Sequence, residues 1–332
     1  MEIHKIFFQL IQVSIGKRAK LDITPSPEEW EQLFDIANKQ SLAGVCFAGL
    51  KKLPAEQSPG EDLVMDWMGK SISTQRRNDK VTMVCGELND YFRSKGFNTC
   101  VLKGQSNHVY YPADMAGNRT SGDIDIWLFP KDGETSQVCK TMHFLEQENS
   151  IVSFAYLHAE LKPYKTVAIE AHFRPTFLNE PIHNHRLQKW YWENKADCIM
   201  EIEIADGITI PMLKPVYNII FQLVHIYRHL LDEGIGLRQL LDYYFLLRGT
   251  VQSLTEEQKK TIADKLSAFG LSRIAGAVMY VLRQVFMIEE KYMIVPVNER
   301  YGRQLLDEIM IAGNFGHYDP RLKDIGQASH DT

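Results

Sequence analysis

The chain has 332 residues, 45% of them hydrophobic and 24% charged, which is enough apolar material for a sizeable core and for two or three structural units. Its 37 basic and 42 acidic side chains leave a formal charge of −5, so there is no general positive field for a polyanion and any nucleic-acid contact is confined to a local patch. The five cysteines are odd in number, widely spaced and never in a C-x-x-C pair, which argues against a disulfide framework or a zinc knuckle.

Ile6, Phe7, Phe8, Leu10, Ile11 and Val13 form an apolar set interrupted by Lys5 and Gln9, with no small-residue cleavage site after it. This pattern predicts an amphipathic helix and not a signal peptide. No other stretch approaches the roughly 18 uninterrupted apolar residues of a membrane span, so a soluble cytoplasmic protein without a membrane partner is expected.

Residues 1–95 are expected to be helical. Ser26-Pro27-Glu28-Glu29 places a capping serine, a first-turn proline and the glutamate of a capping box before Trp30, Leu33, Phe34 and Ala37 at helical spacing. A Pro/Gly-bearing break from Leu53 to Gly60 precedes a long helical stretch over about 62–95.

The character changes at Gly96. Phe97 to Leu102, Trp127 to Phe129 and Thr166 to Ile169 are short apolar, β-leaning runs, and Cys198 to Ile204 with Ile208 to Met212 around Asp206-Gly207 reads as a hairpin. Residues 96–212 are therefore expected to form an α/β core. From 213 to 332 the helical period returns, with Val216, Ile219, Ile220, Leu223 and Val224 on one face. Leu237, Leu240, Leu241, Phe245 and Leu246 follow, then helices opened by Ser253-Leu254-Thr255 and running from Ile274 to Ile288. The tail after Gly313 reads as loop, frayed from Gln327 to Thr332. The fold class is α+β, a small mixed sheet between helical N- and C-terminal sections.

The chemistry-bearing residues cluster in the middle. Val101-Leu102-Lys103-Gly104-Gln105-Ser106 reads as a strand that ends at Gly104 and turns into a short helix, whose outward amides suit a phosphate, with Lys103 adding charge. Then comes Arg119-Thr120-Ser121-Gly122-Asp123-Ile124-Asp125-Ile126, a strand with aspartates at alternate positions. Side chains two apart share a strand face, so Asp123 and Asp125 project together while Ile124 and Ile126 enter the core. Two carboxylates in one pocket repel and call for a cation, and all-oxygen ligation suits Mg2+ or Mn2+.

A D-x-D pair by itself is more often a solvated strand edge. The order of elements reverses that reading: a strand, a glycine-started helix, a Gly-Asp-x-Asp strand and then a strand ending in an acid form the layout of metal-dependent phosphoryl transfer. The third acid is Glu170, at the end of the apolar run Thr166 to Ile169, where a charge is costly unless used or paired. It serves either as metal ligand or general base, or as a partner of Arg174.

The runs Leu102-Lys103-Gly104, Tyr110-Tyr111-Pro112, Arg119-x-Ser121-Gly122-Asp123-Ile124-Asp125 and Ile169-Glu170-Ala171-His172 resemble the bacterial family of uncharacterised nucleotidyltransferases in the polymerase-β-like superfamily. The resemblance implies two divalent ions, held by Asp123, Asp125 and Glu170, and transfer of a nucleoside monophosphate from an NTP to a hydroxyl with release of pyrophosphate. Lys103, Gly104, Gln105, Ser106, Arg119, Ser121 and Gly122 are then the nucleotide-binding candidates. The superfamily commonly has Gly-Ser or Gly-Gly after its first strand, where this chain has Gly104-Gln105-Ser106.

Other residues have two readings each. Arg119 either forks a phosphate or pairs with Asp114 or Asp123. His172, on the face of Glu170, either touches substrate or is a core histidine. His225 and His229 stand four apart on a helix, and Arg238 and Asp242 do so on the next. They are salt-bridged helix faces or, as the resemblance implies, a wall for base or acceptor. His183 and His185 lack a third zinc ligand and read as loop. Trp190-Tyr191-Trp192 stacks a ring or packs a junction, and Met279 to Met287 reads as core.

An NTP and an acceptor of unknown identity, small molecule or protein, are the expected partners. A non-catalytic nucleotide-binding scaffold and a protein-adenylylating toxin are the alternatives. No basic, aromatic-studded stretch offers the track that a nucleic-acid polymerase needs.

Overall fold

The computed structural model describes residues 2–131, 137–316, 318, 319 and 321. The expected fraying of Gln327 to Thr332 lies outside them. Helices α1 (Glu2–Ser14), α2 (Pro27–Lys39), α3 (Ala43–Leu50) and α4 (Glu61–Ser94) precede the first strand. The capping box at Ser26 forms as the sequence predicts, with Pro27 in the first turn.

The strands are β1 (Phe97–Val101), β2 (Ile124–Pro130), β3 (Ile151–Phe154), β4 (His158–Tyr164), β5 (Val167–His172), β6 (Ile199–Ala205) and β7 (Ile208–Leu213). They make one mixed sheet in the order β3-β4-β5-β2-β1-β7-β6. Strand β2 runs antiparallel to β1 and parallel to β5. The short helix α5 (Ala113–Ala116) and helices α6 (Gln137–Gln147) and α7 (Pro181–Glu193) connect them.

Alternation along β2 decides what the two faces do. Ile124, Ile126 and Leu128 enter one core with Val81, Val84, Cys85, Leu88 and Phe92 of α4. Trp127 and Phe129 enter a second core with α8 (Pro215–Asp232), α9 (Leu237–Thr250) and α11 (Ser272–Phe286). Asp125 belongs to this second face. Helices α1 to α3 share that core with the C-terminal helices, and buried amides tie them together: Gln12 donates to Val285 O and Gln40 to Ile309 O.

Helices α10 (Glu256–Ala268), opened by a Thr255 capping box, and α12 (Glu299–Ala312) complete the chain. Met279 is buried as expected; Met287 is not, because it closes α11 in the left-handed region at φ 54° and leaves its side chain exposed. Among the described residues no single helix is long and apolar enough to cross a membrane.

Candidate active site

Four neighbouring strands bring the candidate residues together. β1 delivers Lys103 two residues beyond its end, and Leu102 N donates to Asp125 O at 3.0 Å, which fixes the height of Lys103 against β2. Gly104 then turns the chain at φ +68°, a value that favours glycine, into the 3₁₀ turn Gly104–Tyr110. On β2 and β5 the parallel register pairs Asp125 with Glu170 and Trp127 with His172, and across the β4–β5 hairpin His158 stands opposite His172. Paired residues share a sheet face, so Asp125, Glu170, His172 and His158 all face α8.

Asp123, Asp125 and Glu170 each offer an oxygen within 4.8 Å of the others. Lys103 Nζ lies 3.1 Å from Asp125 Oδ2 and 3.7 Å from Asp123 Oδ1. His172 Nε2 lies 3.0 Å from Asp125 Oδ1 and 3.3 Å from Glu170 Oε2. Three carboxylates thus share one ammonium and one imidazole.

The electrostatics follow from that inventory. Burial pushes the 2% exposed Asp125 up, but Lys103 and the hydrogen bond from His172 outweigh it and hold the carboxyl well below its usual range. Burial works the same way on Glu170; His172 opposes it, yet Asp125 and Asp123 add repulsion, and the group is pushed up to about 7. Burial lowers His172, while its hydrogen bonds to Asp125 and Glu170 raise it to about 9 overall. Burial also lowers Lys103, and Asp125, Asp123 and Glu170 more than compensate, leaving its pKa above the ordinary lysine value. A carboxyl that keeps its proton near neutrality because it is buried and two others crowd it marks a site with negative charge to spare. Converging carboxylate oxygens with that surplus fit a divalent cation.

Helix α8 forms the opposite wall. His225 stacks on Phe221 at an interplanar angle of 15°, and burial holds it well below its ordinary pKa. His229 packs edge-on to His225 with centroids 4.2 Å apart, and its Nδ1 lies 3.3 Å from Glu233 Oε2. Between wall and strands runs a narrow polar cleft of about 20 Å³, room for roughly one water, lined by Lys103, Gly104, Asp123, His225, Arg238 and Asp242 among others. A larger cavity of about 620 Å³, between α8, α11 and α12, is mostly apolar and holds none of these groups.

Several sequence expectations are corrected here. Arg119 does not offer its fork to a phosphate: Nε and Nη2 donate to Asp242 Oδ1 and Oδ2, both at 2.6 Å, and Tyr111 Oη donates to the same carboxylate at 2.6 Å. Asp242 consequently does not pair along its helix with Arg238, whose Nη1 donates to Thr120 O at 3.0 Å. The Gln105 and Ser121 side chains turn inward, Ser121 Oγ to Asn78 Oδ1 and to Gln105 Oε1, Gln105 Nε2 to Thr82 Oγ1. Ser106 is buried too, so of the nucleotide-binding candidates Lys103, Gly104 and Gly122 line the cleft together with Arg119, whose fork is taken by Asp242. Glu170 meets His172 and His158 in place of Arg174, which lies over the Tyr156 ring. His183 and His185 are helical, because Glu180 accepts from Ile182 N and His183 N and Pro181 fits the first turn of α7. Trp190 packs on Tyr217 with centroids 4.7 Å apart and takes the junction role.

Sequence reasoning missed three contributors. His158 arrives on β4, whose hairpin with β5 turns through Lys165 and Thr166 at φ 49° and 66° and carries no glycine to announce it. Arg228, also on α8, lies over the Phe177 ring at 4.0 Å. The polar stripe Ser71, Gln75 and Asn78 of α4 holds the loop before β2. Ser71 and Gln75 donate to Asn118 Oδ1, and Asn78 donates to Gly117 O and Arg119 O. Its spacing at i, i+4 and i+7 is the one signal that could have exposed it.

Among known proteins, the family model described as uncharacterised nucleotidyltransferase matches residues 26–287. The chain is also similar in structure to an antigenic nucleotidyltransferase-like protein from Paracoccidioides brasiliensis, at 12% identity and a TM-score of 0.36, over 58% of this chain and 93% of that one. No curated protein matches. With the family match running through the Gly104 turn, the strands that carry Asp125 and Glu170, and helices α8 and α9, this chain belongs to the uncharacterised nucleotidyltransferase family.

Proposed function

We propose that the protein transfers a nucleoside monophosphate from a nucleoside triphosphate to a hydroxyl of a small-molecule or protein acceptor, releasing pyrophosphate. The observation that carries this reading is the convergence of Asp123, Asp125 and Glu170, from two adjacent strands, with ligand oxygens within 4.8 Å. These three residues would hold two divalent ions, Mg2+ or Mn2+. Such ions, if held there, would supply charge neutralisation at the phosphoryl oxygens and a lowered pKa for an attacking hydroxyl.

The chain's own residues do the positioning. Gly104 lets the backbone approach a phosphate, and Lys103, which offsets the carboxylates in this form, is the cation placed to take a phosphate oxygen. Before an ion binds, His172 keeps Asp125 and Glu170 aimed at a common point through Nε2. The Arg119–Asp242 pair fastens the loop before Asp123 to α9, and α8 lines the cleft with His225 and Gln222. Catalysis then rests on orientation and charge neutralisation and needs no covalent enzyme intermediate.

Titration calorimetry with non-hydrolysable ATP, GTP, CTP and UTP analogues, with and without magnesium, tests the binding half. Magnesium-dependent binding that disappears in the Asp123→Asn, Asp125→Asn double variant is the expected result, and absence of binding by all four would overturn the reading. Transfer of label from α-labelled NTP, assayed against hydroxylated metabolites and against polypeptides, then separates the two acceptor classes.

A further inference from the structure

Beside the three carboxylates lies a second group of donors with a different chemistry. His172 Nε2 and His158 Nδ1 approach Glu170 Oε2 at 3.3 and 3.5 Å, and His172 Nε2 is also 3.0 Å from Asp125 Oδ1. One atom each of His158, Glu170 and His172 lies within 4.8 Å of the other two. A cation that binds ligand atoms at about 2.0–2.2 Å in a tetrahedral or octahedral shell sets adjacent donors about 3.0–3.5 Å apart. Both imidazole nitrogens stand from Glu170 Oε2 at separations in that interval before any ion is introduced.

Hydrogen bonding explains only part of this arrangement. His172 Nε2 has two carboxylate partners, which is sufficient reason for its place. His158 Nδ1 has none: it is buried, makes no hydrogen bond and faces Glu170 at a distance too long for a good one. The β4–β5 register holds it there, opposite His172, with ring centroids 5.1 Å apart. A buried imidazole nitrogen held at ligand spacing from a carboxylate and a second imidazole is a metal donor set of mixed nitrogen and oxygen character.

We infer that His158, His172 and Glu170 form a nitrogen-bearing cation position that selects a first-row transition ion over Mg2+, the ion displacing to solvent the proton that His172 Nε2 shares with Asp125 and Glu170. The inference rests on the assignment of Glu170 as a metal ligand in the proposed function and deepens it. Mg2+ prefers an all-oxygen octahedral shell and gives up its waters reluctantly, whereas imidazole suits ions such as Co2+ and Zn2+. The all-oxygen position at Asp123 and Asp125 keeps no such preference. One pocket then presents two positions of unlike selectivity, sharing Glu170.

The test uses the full-length protein and Co2+ as a spectroscopic probe. Titration of the wild type is followed by visible absorption, with Mg2+ as competitor, and repeated with His158→Gln and His158→Asn; pulsed electron paramagnetic resonance of the Mn2+-loaded wild type reads coordinated nitrogen directly. The expected result is directly coordinated 14N in the wild type and a loss of at least about tenfold in Co2+ affinity in both variants, with Mg2+ affinity changed less than about twofold. Equal Co2+ affinity in wild type and variants, or a Mn2+ spectrum without bound nitrogen, overturns the inference and leaves the imidazoles as hydrogen-bond donors. The nitrogen reading on the wild type stands even if a variant fails to fold. Failure of the proposed function leaves a different trace: nitrogen-bound Co2+ in a protein that neither binds nor turns over any triphosphate.

Discussion

Two groups of buried charge lie on either side of the narrow cleft, and they are built on opposite principles. At the junction with α9, Asp242 meets Arg119 through two 2.6 Å bonds and Tyr111 through a third. Burial opposes the charge on Asp242, yet Arg119 outweighs it and keeps the carboxyl below its usual range. The anion meets Arg119 in fork geometry, the buried Arg238 adds a second positive charge nearby, and the carboxylate is satisfied. In the strand pocket three carboxylates meet Lys103 and His172, and Glu170 is left holding a proton up to about pH 7. A satisfied pair stabilises one arrangement of the chain; an unsatisfied cluster costs stability and keeps a place for something else. That contrast, more than burial, separates the structural charges from the proposed catalytic ones.

The comparison breaks most visibly if the two clusters respond alike to loss of one carboxylate. Asp125→Asn is expected to lower nucleotidyl transfer by about three orders of magnitude or more, on the order of 4 kcal/mol of barrier, while the melting temperature stays within a few degrees. Transfer of labelled nucleotide and a thermal melt, run on the same preparation, decide it. Asp242→Asn is expected to do the reverse in kind. Removing that charge strands Arg119 in a buried site, where it is 3% exposed, and costs on the order of 3 kcal/mol in denaturant unfolding. The double variant Arg119→Met, Asp242→Leu should recover much of that loss, since hydrophobic replacement removes both desolvation penalties. No recovery would mean that the pair does more than close the junction.

Proton linkage sharpens the contrast. The folded-state pKa values of Glu170, about 7, and His172, about 9, both lie above their ordinary values of 4.5 and 6.5. Each therefore binds protons more tightly in the folded chain. The Glu170 contribution is fully present below pH 4.5 and is lost as pH rises through 7; that of His172 is present below 6.5 and is lost through 9. A divalent ion takes over the proton's role at Glu170. The gain in melting temperature on adding magnesium should accordingly grow between pH 5 and pH 8, by a few degrees, corresponding to up to about 2 kcal/mol. Differential scanning with and without the ion measures it, and a gain independent of pH would detach Glu170 from the metal.

The parts of this site that were legible in the sequence are those whose geometry is local. Asp123 and Asp125 share a face because strand alternation forces it, and the Lys103-Gly104 turn follows from a glycine at a strand end. The helical sections were legible for the same reason, through capping boxes at Ser26 and Thr255 and apolar stripes of period 3.6. What stayed hidden depends on long-range partners. Arg119 and Asp242 are 123 residues apart, and nothing near either one names the other. The β4–β5 hairpin was invisible because Lys165 and Thr166 occupy left-handed positions that Asn-Gly or Asp-Gly would normally signal. His158 was lost with it, and with His158 the nitrogen side of the pocket.

The smallest expected effect is also the one that divides the two readings of a single residue. Ser121, in the middle of the motif, reads from the sequence as a nucleotide contact, whereas its hydroxyl lies between Asn78 Oδ1 and Gln105 Oε1 and is 4% exposed. A hydroxyl that donates there ties the loop before Asp123 to α4, and its removal leaves a buried amide oxygen short of its donor. Ser121→Ala is therefore expected to cost about 1 kcal/mol of stability while the triphosphate dissociation constant moves less than about twofold. Unfolding and calorimetry on the same variant give both numbers. Unchanged stability with affinity down tenfold would instead place the hydroxyl on the ligand, which requires the loop to turn over when nucleotide binds and would transfer Ser121 from the closed cluster to the open one.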